Sequence, residues 1–404
     1  MKIKLPVGFY YRGINSGIKK NNKFDLAIFY SIKECSIAKL FTKNKIKAAP
    51  VIISKDNKNT TIRAIVANSG CANAATGKIG ISDAIKMCSI TAKNLSIKPE
   101  DVLVASTGLI GNYLPIKKVI NGIKLLCKHL KKDIKNNKNQ NKTIIDAVKS
   151  IMTTDTKIKI ESEKFKLDGK TVTILGCAKG SGMIRPELSA TMLCFLFTDC
   201  NISNHILQNA LKESVRETFN RINIDNVCST NDTVFLMANG MAGNKIINTY
   251  NENYKKFCKI LNNICLKIAK KIVMDGEGVT KFIELEICRA KTKKDAEEIA
   301  KTISGSCLFK TAIFGSDPNW GRIIASIGES KAYIIPEKIN IFLNNLCVCK
   351  NSTKTNYSQN EAREIVKKKN IKIKIDLNCG KYALKYYTSD LSYKYVKINS
   401  EYST

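Results

Sequence analysis

Histidine is nearly missing from this 404-residue chain, which has only His129 and His205. A serine or cysteine nucleophile usually borrows a histidine as its base, so that scarcity argues against a Ser-His or Cys-His pair. His129 stands among lysines and His205 follows an N-cap candidate at Ser203 or Asn204, which makes both read as surface or capping residues. Paired cysteines are missing too. Fifteen cysteines are scattered singly, no CxxC occurs, and only Cys347 and Cys349 lie close together. Neither a structural metal nor a disulfide framework is expected, and the thiols read as reduced and mostly buried. Long apolar runs are also lacking. The stretches Ala178 to Thr191 and Met192 to Phe197 are short or broken by charge, below the roughly 18 residues of a membrane span. Met1 to Gly13 has no apolar segment before Arg12, so no secretory signal is expected and a cytoplasmic address follows.

Phosphate loops are absent in recognisable form. Lys179 precedes Gly180 and Gly182, whereas a Walker loop needs its lysine after the last glycine, and no GxGxxG opens a helix after a strand. Acidic residues are few: 34 against 67 basic ones leave a net charge of +33. That balance would suit a nucleic-acid partner, but the lysines are spread along the whole chain beside isoleucine and asparagine. No basic stripe is interleaved with stacking aromatics, so nucleic acid is not expected as a partner, nor is a membrane. The one low-complexity segment, Lys131 to Lys142, reads as a solvated loop.

What is present is a globular composition, 44% hydrophobic and 25% charged, enough for two or three domains. Helical spacing links Ile116, Val119, Ile120, Ile123, Cys127 and Leu130, and again Phe257, Ile260, Leu261, Ile264, Cys265, Ile268 and Ile272, predicting core-facing helices. Strict alternation over Phe282 to Cys288 and Ile371 to Leu377 predicts strands with one solvated face, of antiparallel type. The mixture indicates an α/β protein.

Several apolar strands run straight into small and hydroxylic residues, where backbone N–H groups can approach a ligand. Ile62 to Ala67 leads to Asn68 through Gly77, Val102 to Ala105 leads to Ser106-Thr107-Gly108, and Thr171 to Cys177 leads to Ala178 through Ile184. Ser229 to Thr233, Asp275 to Lys281 and Asp317 to Arg322 are similar. Without a usable histidine, one nucleophile remains chemically open: a threonine at a chain N-terminus, whose α-amine has a pKa near 8 and lies within reach of its hydroxyl. In a precursor this needs an internal cut, and Ala190-Thr191 is the most suitable place. Thr191 is equally at home as the first residue of the strand Met192 to Phe197, and composition by itself favours that simpler role.

A larger set of motifs decides between them. Gly13 to Lys19, Phe41-Thr42-Lys43-Asn44, Ala48-Ala49-Pro50-Val51, Asn68 to Gly77, Ser106-Thr107-Gly108, Thr153-Thr154-Asp155, Ala178 to Ile184 and Ala190-Thr191-Met192-Leu193 resemble the ornithine acetyltransferase family in order. So do Asp275 to Lys281, Lys310-Thr311-Ala312, Asp317 to Arg322 and the closing Val396 to Thr404. The resemblance implies a layered α/β sandwich of two sheets between helices, of the N-terminal threonine nucleophile type. It implies self-cleavage between Ala190 and Thr191 into an α chain 1–190 and a β chain 191–404, a processing point that need not be a domain boundary.

By the same resemblance the substrates are N2-acetylornithine and glutamate, exchanged through an acetyl-Thr191 intermediate in arginine biosynthesis. No cofactor is implied, with acetyl-CoA a co-substrate if the enzyme is bifunctional. Thr107 and Gly108 match the oxyanion hole, and Thr154, Lys179, Thr191, Glu277, Asn399 and Thr404 match the substrate-binding residues, with Thr153 an alternative to Thr154. Lys179 would pair with the substrate α-carboxylate and Glu277 with the ornithine ammonium. An α2β2 assembly is expected. The chain departs from the family pattern at Ile184 to Ala190, at Cys71 where Asn is usual, and at Asn223 to Cys228. Two other readings are a hydrolytic N-terminal nucleophile amidase or aminopeptidase on the same scaffold and a basic binding protein with Thr191 uncut.

Overall fold

Leu26–Phe41 is long enough to serve two sets of neighbours, and in a computed structural model, which describes residues 3–20, 22–185 and 192–401, it is the spine of an eight-stranded sheet. In chain order the elements are β1 (Phe9–Ile14), β2 (Leu26–Phe41), α1 (Ala49–Asp56), β3 (Thr61–Cys71), α2 (Gly77–Leu95) and β4 (Val102–Leu109). Then come α3 (Ile116–Lys135), α4 (Asn141–Ile151), β5 (Lys159–Leu167), β6 (Lys170–Lys179), β7 (Leu193–Thr198), α5 (Asn204–Glu217), β8 (Thr233–Ala238) and α6 (Glu252–Met274). The sheet order is β4-β3-β2-β8-β7-β6-β5, with β1 paired to β2.

Alternation along β2 explains why helices cover both faces of this sheet. Ala27 and Phe29 join Phe195, Phe197 and Phe235 against Ile144, Ala147, Val148 and Ile151 of α4. Leu26, Ile28 and Tyr30 join Val66 and Val104 against Met87 of α2 and Val119, Ile123 and Leu126 of α3. The expected apolar stripes of α3 and α6 are core faces: Val119, Ile123, Cys127 and Leu130 are buried in one, and Phe257, Leu261, Ile264, Cys265, Ile268 and Ile272 in the other.

A second compact unit has its own sheet. It contains the described residues of 184–186, 221–226 and 270–404, the first unit those of 1–183, 187–220 and 227–269. Its elements are β9 (Phe282–Ala290), α7 (Lys293–Gly305), α8 (Cys307–Phe314), α9 (Trp320–Glu329), β10 (Asn340–Leu343) and β11 (Leu346–Lys350). They continue with β12 (Thr353–Lys354), α10 (Gln359–Lys367), β13 (Asn370–Asp376), β14 (Tyr382–Ser389) and α11 (Tyr393–Ser400), in the sheet order β12-β11-β10-β13-β9-β14. Two mixed sheets with flanking helices are thus the architecture. The strands that flank the expected processing point in sequence, β6 and β7, both belong to the first unit and pair antiparallel with Lys179 opposite Leu193.

Two expectations need correction. Ile283, Leu285 and Ile287 of β9 and Ile371, Ile373 and Ile375 of β13 do face one core, but the strands run parallel to each other. Each has its antiparallel neighbour on the other side, β14 beside β9 and β10 beside β13. Alternation reports which face meets solvent, and here that face is a charge ladder, with Lys372 Nζ 2.5 Å from Glu286 and Lys385 Nζ 2.9 Å from Glu284. It says nothing of strand direction. Lys131 to Lys142 is not one solvated loop either: α3 runs to Lys135 and α4 starts at Asn141. Asp133 is buried against Arg12 at 2.9 Å, and Gln140 accepts the Tyr11 N–H at 3.0 Å. Its lysines flank one apolar face that includes Leu130 and Ile134, which composition alone conceals. The cysteines are as expected: all fifteen are free, and burial pushes Cys35 and Cys88 up to about 12, keeping them protonated.

Gly176 of β6 lies where α6 crosses the sheet. A Cβ there would stand 2.7 Å from Ile268 Cδ1 and Leu196 Cδ2. Gly176→Ala is expected to destabilise the protein by about 1–3 kcal/mol through overpacking, read as a lower urea midpoint without a change in slope.

Candidate active site

The small residues at the ends of β3 and β4 are parts of the strands, and their size is what lets the two backbones close on each other. Ser69 sits beside Thr107 and Gly70 beside Gly108 in parallel register. Gly108 has φ +134°, and a Cβ on it would lie 2.3 Å from the Gly70 carbonyl carbon, so only glycine fits. Around this contact the polar groups are buried and mutually satisfied. Asn68 accepts the Ser106 hydroxyl at 2.6 Å and donates to the Cys71 carbonyl at 2.9 Å, and Asn231 donates to the Ala72 and Ser106 carbonyls at 2.7 and 2.8 Å.

Thr107 is fully buried and accepts a hydrogen bond of 3.3 Å from Nζ of Lys179, itself 1% exposed. Because the lysine supplies a proton to the Thr107 oxygen, the hydroxyl's own hydrogen is left to donate elsewhere. Two residues named separately from the sequence are therefore in direct contact, at the ends of β4 and β6. Thr154 joins them from the segment after α4, its hydroxyl 2.7 Å from that of the buried Ser181, while Thr153 uses its N–H on the neighbouring Asp155.

Asp155 holds this corner together. Its Oδ1 accepts from Lys159 Nζ at 2.7 Å and from the Gly180 N–H at 2.7 Å, and its Oδ2 accepts the Thr153 N–H at 3.0 Å. Burial alone would raise its pKa. The positive charges of Lys179 and Lys159 and the Gly180 hydrogen bond outweigh burial and hold the carboxyl at about 2.

Thr191 and Ala190 lie outside the described residues, as does Thr404. Met192, the next described residue, has its N–H held by Asp232 Oδ1 at 2.9 Å, and its carbonyl accepts the Thr233 N–H at 3.1 Å. In the second unit, Glu277 Oε2 accepts from Asn399 Nδ2 at 2.8 Å, bringing together two more residues named from the sequence. The contact depends on Gly278, where a Cβ would stand 2.4 Å from the Tyr395 nitrogen of α11.

Sequence reasoning quoted Asp155 and Asp232 within motifs but gave them no role, and it passed over Lys159 and Ser181. A lysine four residues after Asp155 was the available signal for the buried pair. His129 is half-buried and its pKa is lowered, by burial first, and His205 is exposed next to the N-cap Ser203 of α5, so neither stands as a catalyst. Among the described residues no cluster of His, Cys, Asp and Glu could hold a metal ion, and no helix is long and apolar enough to cross a membrane.

The ArgJ family model matches residues 10–404. The arginine biosynthesis bifunctional protein ArgJ 1 of Clostridium acetobutylicum is 47% identical over 96% of this chain and 94% of its own length. The arginine biosynthesis bifunctional protein ArgJ of Caldanaerobacter subterraneus is 44% identical over 100% and 98%. Among solved structures, the arginine biosynthesis bifunctional protein argJ of Bacillus halodurans is 42% identical, with a TM-score of 0.49 over 50% of this chain and 95% of that one.

Replacing Asp155 with Asn removes the carboxylate 2.7 Å from the buried Lys159 ammonium, and the expected loss is about 3–5 kcal/mol at pH 7 in urea unfolding. The native carboxyl titrates below the unfolded one, so its contribution is present above about pH 4 and is lost as pH falls towards 2. The gap between wild type and Asp155→Asn should therefore narrow over that interval, and a gap that widens would contradict the charge assignment.

Proposed function

Because the chain belongs to the ArgJ family of acetyl-transferring enzymes of arginine biosynthesis, we propose that it moves the acetyl group of N2-acetylornithine to glutamate through an ester on Thr191. The observation that carries this reading is the Lys179 to Thr107 hydrogen bond beside the Gly108 to Gly70 backbone contact. It supplies a hydroxyl with a free proton next to a strand end that only small residues can form, and Lys179 stands in register with Leu193, two residues beyond Thr191.

In the proposed sequence the chain first cuts itself before Thr191, freeing an α-amine. Thr191 Oγ attacks the acetyl carbonyl carbon while that amine takes the hydroxyl proton. The Thr107 hydroxyl and the Gly108 N–H stabilise the oxyanion. Collapse breaks the amide bond, the proton passes to the departing ornithine nitrogen, and acetyl-Thr191 remains. The glutamate α-amine then attacks the ester, its proton returns to Thr191 Oγ, and N-acetylglutamate leaves. Lys179 pairs with the substrate α-carboxylate, Thr154 positions the substrate, and Glu277 with Asn399 reads the ornithine ammonium; Thr404 completes the binding set. No cofactor enters this chemistry. A thioester donor, acetyl-CoA, would give the same acetyl-Thr191. The cut products 1–190 and 191–404 assemble as α2β2.

Denaturing electrophoresis with N-terminal sequencing should give two fragments, one beginning Thr-Met-Leu-Cys. Thr191→Ala should remain uncut and inactive, and the wild type should give parallel double-reciprocal plots at several glutamate concentrations. An active preparation made only of uncut chain would sink the scheme, and water rather than glutamate taking up the acetyl group would replace it with hydrolysis.

Thr107→Val keeps the shape of the side chain and removes the donor. It should lower kcat by about 10²- to 10³-fold with little change in KM, measured with acetylornithine at saturating glutamate.

A further inference from the structure

The proposed exchange takes an acetyl group from a molecule whose side chain ends in an ammonium and passes it to one whose side chain ends in a carboxylate. A carboxylate such as Glu277 can attract the first end but repels the second. The acceptor therefore needs a cationic place of its own for its side chain.

The first unit contains a cavity of about 270 Å³ whose lining includes Lys19, Lys23, Lys149, Met152, Thr153 and Asp155. It adjoins the Thr153 to Asp155 segment, which Asp155 fastens to Gly180 beside Lys179. Its charges are unbalanced. Both oxygens of Asp155 are taken, by Lys159 and by the Gly180 and Thr153 N–H groups. Asp25, which binds the Lys19 N–H, spends Oδ1 on the Ser16 N–H and hydroxyl and Oδ2 on the N–H groups of Ile18 and Lys19. Among the described residues no carboxylate lies within ion-pair distance of the Lys19, Lys23 or Lys149 ammonium.

Lys19 holds part of the cavity wall in place. Its Nζ donates to the Phe24 and Met152 carbonyls at 2.9 and 2.6 Å, which ties the segment before β2 to the residue between α4 and Thr153. Burial above all brings the Lys19 pKa down to about 8; the Asp25 and Asp155 carboxylates raise it, and the positive charges of Lys179 and Lys23 lower it. An anion in the cavity would favour the charged form of these lysines. Lys23 and Lys149 are exposed at the rim.

We propose that this cavity is the subsite for the side-chain carboxylate of the acceptor amino acid, with Lys23 and Lys149 supplying the attracting charge and Lys19 positioning the Met152–Thr153 wall. The inference rests on the acetyl-transfer reading above. It makes recognition of the two substrates diverge at their side-chain ends, an ammonium reader for the donor and a lysine cavity for the acceptor.

The test uses the cut, full-length enzyme and the double variant Lys23→Gln/Lys149→Gln, which alters only exposed side chains. The two half-reactions are read separately: ornithine released from acetylornithine in the first turnover without acceptor, and kcat/KM for glutamate against glutamine in the second. The expected result is an unchanged first turnover and a preference for glutamate over glutamine that falls about tenfold, the scale of two partly screened charge contacts. An unchanged preference, or equal losses with both acceptors, would overturn the subsite. So would inorganic phosphate that inhibits the wild type without competing with glutamate, since that would assign the cavity to a phosphoryl group. If the wild type releases no ornithine in the first turnover, acetyl transfer itself fails and the subsite with it.

Discussion

One buried carboxylate sets the geometry on which the first unit's candidate site depends. Asp155 lies between two lysines and receives two backbone N–H groups from different segments, Thr153 before it and Gly180 at the end of β6. Removing a carboxylate from water is costly, and it persists here because every oxygen is engaged by a donor. The consequence is positional. The segment carrying Thr154 and the strand end carrying Lys179 are fixed relative to each other, so that Lys179 meets Thr107 and Thr154 meets Ser181. Site groups that must act within tenths of an ångström gain from being held by charge in a dry interior, where the hold is strong.

Much of this was legible in the sequence, and the parts that were not share a cause. Apolar periodicity located α3, α6, β9 and β13 because burial has a period that the chain must obey. The strand-to-small-residue transitions marked the segments that contain Thr107, Gly108 and Lys179, because backbone can approach backbone only where side chains are small, and the family resemblance singled out those three within them. The direction of β13 relative to β9 was invisible because both orientations bury the same alternate residues. Asp133 and Gln140 were hidden inside a lysine- and asparagine-rich stretch because composition does not say which polar residue points inward. Asp155 and Asp232 were visible only as letters in motifs, since their work is done on partners distant in sequence: Gly180 for the first, Met192 for the second.

The net charge of +33 gains meaning from the same distinction. Lysines that look alike in sequence differ completely in burial: Lys159, Lys179 and Lys310 are at most 3% exposed, whereas Lys23, Lys149 and many others stand in solvent. Lys310, in the second unit, donates to the hydroxyls of Thr388 and Ser389, and burial brings its pKa to about 8 despite Asp225 and Asp390. Exposed charges are screened within about 8 Å at physiological salt, so the bulk of the excess acts on solubility and encounter and leaves the site's chemistry alone.

The order of strands in the large sheet carries a consequence for how such a chain can be divided. β7 and β8 come after residue 190, yet they are inserted between β2 and β6, which come before it. A break ahead of Thr191 would leave two polypeptides woven through one hydrogen-bonded ladder, with the later piece contributing the middle of the sheet and the earlier piece both flanks. Neither piece could present a finished surface to the other. A gene split at that codon would make halves that must fold in each other's presence, and two separately completed parts would have no interface to dock.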